Sequence, residues 1–177
     1  QDGRGHATRV ARLALALAEE LGVDDELVAP LERGALLHDI GKLDMPQAIL
    51  SKPAPLSDTE WRVMRTHPQV GYDLVRNQAR FADAAEIVLS HHEAYDGSGY
   101  PRGLRADEIP IGAGILTVAD AYDSMTQPHT QRPPLAPAMA VREIERCSGR
   151  QFDPECAEAL GSVFIHAVEE ERPSSTS

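Results

Sequence analysis

LERGALLHDIGK, residues 31–42, is the stretch whose reading decides the fold. Leu31, Ala35, Leu36, Leu37 and Ile40 make it apolar, which predicts a buried helix over 31–40, and Gly41 supplies the stop. His38 and Asp39 stand at the C-terminal end of this run. A carboxylate buried there is costly unless a cation or strong donors compensate it. A metal ion supplies that compensation, so the segment predicts a helical fold and a polar centre inside it.

Working outward, Val10, Leu13, Leu17 and Leu21 recur at helical spacing and predict an amphipathic helix over 6–21, with His6 on its core stripe and Gly22 as its stop. Pro53 and Pro55 mark a loop over 51–57. Ser57 followed by Glu60 is a capping box that opens a helix containing Trp61 and Met64, and His67-Pro68 breaks or kinks it. A further helix is expected from about Asp83 to His92, then a glycine-rich turn over 96–101. Residues 111–126 form another apolar helix, with Leu116 and Asp120 four apart on one face. After a proline-rich stretch over 127–137, two helices are expected at 137–147 and 154–169, the second opening on Asp153-Pro154. No segment alternates with the period of a half-buried strand, and no internal repeat is visible. The fold class is therefore all-α, a single-domain helical bundle over residues 1–172 with a disordered tail over 173–177.

At 177 residues and 42% hydrophobic content the chain can bury one sizeable core. Its longest apolar segments, such as 10–21, are interrupted by Arg12, Glu19 and Glu20, so no membrane insertion is expected. A net charge of −11 argues against a nucleic-acid polymer as partner, since that needs a basic face. The same acidity opposes any anionic substrate unless bound divalent cations reverse the local field. Cys147 and Cys156 lack metal-type spacing and read as reduced core thiols of a cytoplasmic protein. The first residue is Gln1 rather than Met, which leads us to expect further domains upstream in a longer natural chain.

Of the seven histidines, His6, His38, His67, His91 and His92 fall on or at the ends of predicted helices. Each alone reads as a core histidine with one hydrogen bond. With Asp39 and Asp120 they form a set of nitrogen and oxygen donors without thiolate, suited to Fe, Mn, Zn or similar ions, which excludes a structural zinc finger. Seven protein ligands are too many for one ion and fit two that keep open positions. Asp39 has two oxygens with which to bridge them, His6 and Asp120 would complete one sphere, and His67, His91 and His92 the other. Two ions roughly 3.5–4 Å apart stabilise both the attacking and the leaving oxygen at phosphorus, which predicts hydrolysis of a phosphate ester. Lys42 either reaches the same cavity to grip a phosphate oxygen or is a solvated lysine offsetting a helix C-terminus.

His38-Asp39-Ile40-Gly41-Lys42 resembles the HD motif with its trailing Gly-Lys, and His91-His92-Glu93 with Asp96-Gly97-Ser98-Gly99-Tyr100-Pro101 resembles the signature of HD-GYP domains. With His6, His67 and Asp120 in the expected order, the resemblance covers nearly the whole chain. It implies a di- or trinuclear iron or manganese centre held by His6, His38, Asp39, His67, His91, His92 and Asp120. It also implies hydrolysis of cyclic di-GMP to pGpG and onward to GMP, in bacterial second-messenger signalling. Asp39 and Lys42 would act at the reacting phosphate, and Gly99, Tyr100 and Pro101 would shape the substrate loop. Relatives with a third ion carry a glutamate one turn before the first histidine; Asp2 stands there, and its shorter side chain favours two ions. Where the family has Thr-Ser-Asp-Arg-Pro-Tyr-Arg, this chain has residues 126–132, TQPHTQR, which keep Arg132 and replace another arginine by His129. That departure leaves open a second substrate, another cyclic dinucleotide or a nucleotide monoester. A third reading is a docking module whose Gly-Tyr-Pro loop binds a partner such as a GGDEF-type cyclase. Family habit further implies a homodimer.

Overall fold

The computed structural model describes residues 3–128 and 133–170. The described residues are helical, with no strand beyond two isolated bridges, Asp96 with Arg105 and Ser148 with Phe152. The expected all-α bundle is what the chain forms. His129, Arg132, Asp2 and the tail over 173–177 lie outside the described residues.

The elements are α1 (Gly3–Leu21), α2 (Asp25–Leu37), α3 (Gln47–Leu50), α4 (Asp58–Met64), α5 (His67–Arg76), α6 (Ala85–Ser90), α7 (Ile111–Thr126), α8 (Pro137–Arg146) and α9 (Pro154–Glu170). The main core lies where α1 meets α2, α7 and α9, and Val10, Leu17, Leu31, Ile115, Leu116, Ile144, Phe152 and Leu160 are fully buried in it. A smaller cluster of Val75, Ala84, Ala85 and Val88 packs α5 against α6. Cys156 is buried in the main core, Cys147 is partly buried at its edge, and both are free thiols. No helix among the described residues is long and apolar enough to cross a membrane.

Two helices that place the site differ in their bounds from the sequence reading. The helix expected over 31–40 begins at Asp25 and runs through Pro30. Proline in a helix forfeits a backbone bond and ordinarily marks a boundary, but here Leu31 and Ala35 are fully buried and packing outweighs that loss. The same helix ends at Leu37, so His38 and Asp39 sit in the turn that follows, and residues 40–44 continue as a 3₁₀ helix. The helix expected to reach His92 likewise stops at Ser90, and His91 and His92 lie just beyond it. A turn at each helix end frees these side chains from the helix surface and brings them together, with the His38 and His91 ring centroids 5.2 Å apart.

Ser57 and Glu60 form the expected reciprocal cap, which starts α4. The chain breaks after Met64 and restarts at His67, with Pro68 in the first turn of α5. The helix expected over 111–126 has those bounds in the structure.

Candidate metal centre

Three histidines use their rings in the same way. Nδ1 of His38 lies 2.8 Å from the Ala35 carbonyl, Nδ1 of His67 2.8 Å from that of Met64, and Nδ1 of His91 2.7 Å from that of Val88. Each partner is the carbonyl three residues back, in the last turn of the preceding helix. A carbonyl only accepts, so Nδ1 carries the proton and Nε2 of each neutral ring presents a lone pair. His6 is held instead by two carboxylates, with Nδ1 2.7 Å from Asp123 Oδ2 and Nε2 3.3 Å from Asp120 Oδ1.

These lone pairs converge. Nε2 of His67 and Nε2 of His91 are 3.3 Å apart, and both rings are almost wholly buried. Two acceptors at hydrogen-bond distance need a proton or a cation between them. Burial holds His91 well below the ordinary imidazole range, and the neighbouring His92 pushes it further the same way. Burial lowers His67 too, against its Met64 hydrogen bond, and brings His92 down to about 3. The three rings are therefore neutral, as a metal requires. His67, His91 and His92 form one group whose ligand atoms lie within 4.8 Å of one another, and His6, His38 and Asp39 form a second.

Asp39 lies between the groups. Its Oδ1 is 3.5 Å from His67 Nε2 and its Oδ2 3.7 Å from His38 Nε2. Burial would raise this carboxyl, but His38 and Lys42 outweigh burial and hold it well below the usual carboxylate range. Asp120 is likewise ionised, with the His6 hydrogen bond overcoming its desolvation. Lys42 Nζ sits 2.6 Å from Asp39 Oδ2 and is partly exposed, at the edge of the donor cluster.

The donor set fits divalent cations of borderline hardness: imidazole nitrogens and carboxylate oxygens without thiolate, preformed and deprotonated at His67, His91 and His92. His6 differs. Hydrogen bonding to Asp120, opposed by burial and reinforced by Asp123, raises it to about 9, so a metal must displace a proton there.

Gly41 does more than end a helix. A Cβ at Gly41 would lie 2.0 Å from the His67 carbonyl oxygen and 2.7 Å from the Gly71 nitrogen, so only glycine lets the 40–44 turn press onto α5 and bring Asp39 beside His67. The Gly-Tyr-Pro loop is equally fixed. Glu93, buried at 3% exposure, accepts from the backbone N–H groups of Arg102 and Leu104 at 2.8 and 3.0 Å. Tyr100 N donates to the His92 carbonyl, its ring stacks on His92 at 4.9 Å, and the Tyr100–Pro101 bond is cis. Gly99 lies so close to Glu93 and Ala94 that a Cβ would meet their backbone at 2.2–2.6 Å.

The structure thus brings His6, His38, Asp39, Lys42, His67, His91, His92, Asp120 and Tyr100 together in one cluster. Sequence reasoning missed Asp123, which orients His6 and also accepts from Arg9 Nε at 2.6 Å. Its signal was a second aspartate three residues after Asp120, one turn along the same helix face. It also left Glu93 without a role, although an acid directly after His91-His92 in an apolar setting is the kind of residue that anchors a loop.

The HD domain family profile matches residues 1–156. A cyclic di-GMP phosphodiesterase of Thermotoga maritima is 42% identical over 157 residues, covering 88% of this chain and 43% of that protein. A 3'3'-cGAMP-specific phosphodiesterase of Vibrio cholerae is 38% identical over 158 residues, 88% of this chain and 34% of that one. Among solved structures, Bd1817, an HDG"Y"P protein from Bdellovibrio bacteriovorus, superimposes with a TM-score of 0.75 at 24% identity, over 92% of this chain and 52% of that chain. The chain spans less than half the length of these curated relatives. With its HD and Gly-Tyr-Pro motifs gathered at one cluster, the chain belongs to the HD domain family and, within it, to the HD-GYP type.

Proposed function

We propose that this domain is a metal-dependent phosphodiesterase that hydrolyses cyclic di-GMP to pGpG and onward to GMP. The observation that carries the reading is the pair of facing lone pairs at His67 and His91, 3.3 Å apart in a buried site beside an ionised Asp39. Such a pair needs a proton or a cation between its nitrogens, and burial, which keeps both rings neutral, favours the cation. We assign one divalent ion, Fe or Mn, to His6, His38, Asp39 and Asp120, and a second to Asp39, His67, His91 and His92. When bound, the ions supply a water made acidic enough to attack at neutral pH and charge compensation at phosphorus.

The remaining steps belong to the chain. Asp39 spans both groups and fixes their separation. Lys42, paired with Asp39 at the edge of the donor cluster, offers its ammonium to a non-bridging phosphate oxygen and orients the diester. The backbone of Gly99, Tyr100 and Pro101, pinned by Glu93, walls the substrate side and excludes water. Arg132 is assigned to a substrate phosphate on sequence grounds, outside the described residues. Homodimerisation, and docking of a GGDEF-type cyclase on the Gly-Tyr-Pro loop, belong to the same proposal.

The similarity to a cGAMP-specific relative supports a second substrate, the mixed dinucleotide 3'3'-cGAMP. The test is anaerobic turnover with Fe(II) or Mn(II), with pGpG and GMP separated by chromatography, for the parent and Asp39→Ala. Product from the parent alone is expected. A folded, metal-loaded parent that releases neither pGpG nor GMP would discard cyclic di-GMP as substrate, and a faster rate on 3'3'-cGAMP would replace it.

A further inference from the structure

Between α4 and the Gly-Tyr-Pro loop lies an open cleft of about 530 Å³ lined by Asp58, Trp61, Arg62, Arg65 and Tyr100. Its volume is within the usual range for small-molecule sites, and its chemistry is out of keeping with a chain of net charge −11. Trp61 and Arg65 are four apart, hence one above the other on α4 and its C-terminal cap. Trp61 is 45% exposed, with its indole spent on no core. Among the described residues, no carboxylate lies within ion-pair distance of Arg62 or Arg65. The Arg65 guanidinium lies 5.4 Å from the Tyr100 ring centroid, and that ring stacks on His92. The cleft is therefore continuous with the donor cluster through Tyr100.

Two guanidinium groups without a carboxylate partner, beside the exposed indole of Trp61, match a nucleotide, whose base stacks and whose phosphate accepts planar donors. A cyclic dinucleotide has two of each. While one phosphate is at the donor cluster, the other nucleotide must lie elsewhere on the surface. We propose that the Trp61–Arg62–Arg65 face of this cleft, with Tyr100, is the subsite for the second, non-reacting nucleotide of a cyclic purine dinucleotide. Trp61 stacks the base, and Arg62 and Arg65 hold its phosphate. The inference rests on the cyclic dinucleotide reading above.

The test compares two substrates on the Mn(II)-loaded protein: cyclic di-GMP, and bis(p-nitrophenyl) phosphate, a diester with no purine and no second phosphate. Trp61→Ala and Arg65→Ala should each lower the ratio of kcat/KM for cyclic di-GMP to that for the small diester by about tenfold. Trp61→Phe, which keeps an aromatic face, should recover most of the ratio. A ratio unmoved within about twofold in both alanine variants, or an equal fall on both substrates, would overturn the subsite while leaving the phosphodiesterase reading in place. A parent that cleaves the small diester but no cyclic dinucleotide would overturn the substrate reading itself, and this occupant with it.

Discussion

At the residue scale the centre depends on which nitrogen each histidine presents. The i−3 carbonyls of Ala35, Met64 and Val88 take the Nδ1 proton of His38, His67 and His91, so the backbone itself selects the ligating tautomer. His6 has no such carbonyl and relies on Asp123, a buried carboxylate that also accepts from Arg9. Asp123→Asn removes the charge while keeping the shape. Loss of such an orienting partner typically weakens metal affinity 10–100-fold, and we expect at least about tenfold in a competitive Mn(II) titration. An unchanged affinity would show that His6 is positioned without it. His6 was legible as a ligand because it sits on an otherwise apolar stripe; Asp123 was not, because a carboxylate near a helix end reads equally well as solvated.

At the element scale the decisive contact is the one between the 40–44 turn and α5. Gly41 approaches the His67 carbonyl so closely that any side chain must separate the two. Gly41→Ala should therefore cost about 2 kcal/mol or more through overpacking. That corresponds to a melting temperature lower by roughly 4–8 °C for a domain of this size. Turnover should fall further than stability alone explains, because Asp39 moves away from His67. A variant as stable and active as the parent by calorimetry and assay would refute the close-approach role. The sequence reading took Gly41 as a helix stop, which its position allowed; the helix had already ended at Leu37, and the steric need comes from a segment 26 residues away in the chain, His67.

At the scale of the whole molecule, the donors come from α1, the turns after α2 and α6, the start of α5, and α7, so a bound cation ties together segments distant in sequence. Metal loading should raise the melting temperature by roughly 5–10 °C at a metal concentration about 100 times Kd, and a chelator should reverse it. The pH dependence has a definite sign. His6, raised from 6.5 to about 9 by Asp120 and Asp123, stabilises the metal-free fold fully below pH 6.5, and that contribution disappears as pH rises through 9. The cation competes with the same proton, so Mn(II) affinity should strengthen by about tenfold from pH 6.5 to 7.5, read by calorimetry in matched buffers. A flat affinity over that interval would mean that His6 is not a ligand.

The sequence by itself determined the all-α class, the residues available to hold metal, and the family, because apolar periodicity and the spacing of His-Asp and His-His pairs are properties of the chain alone. Leu31, Leu116 and Leu17 announce buried helices wherever they later pack. Only the tertiary structure decided that His38 and His91 lie just past helix ends, that Glu93 anchors the Gly-Tyr-Pro loop, and that Arg65 meets Tyr100 across a cleft. The physical reason is that each of these depends on two segments far apart in sequence reaching the same few ångströms, and neither segment carries that distance in its own pattern.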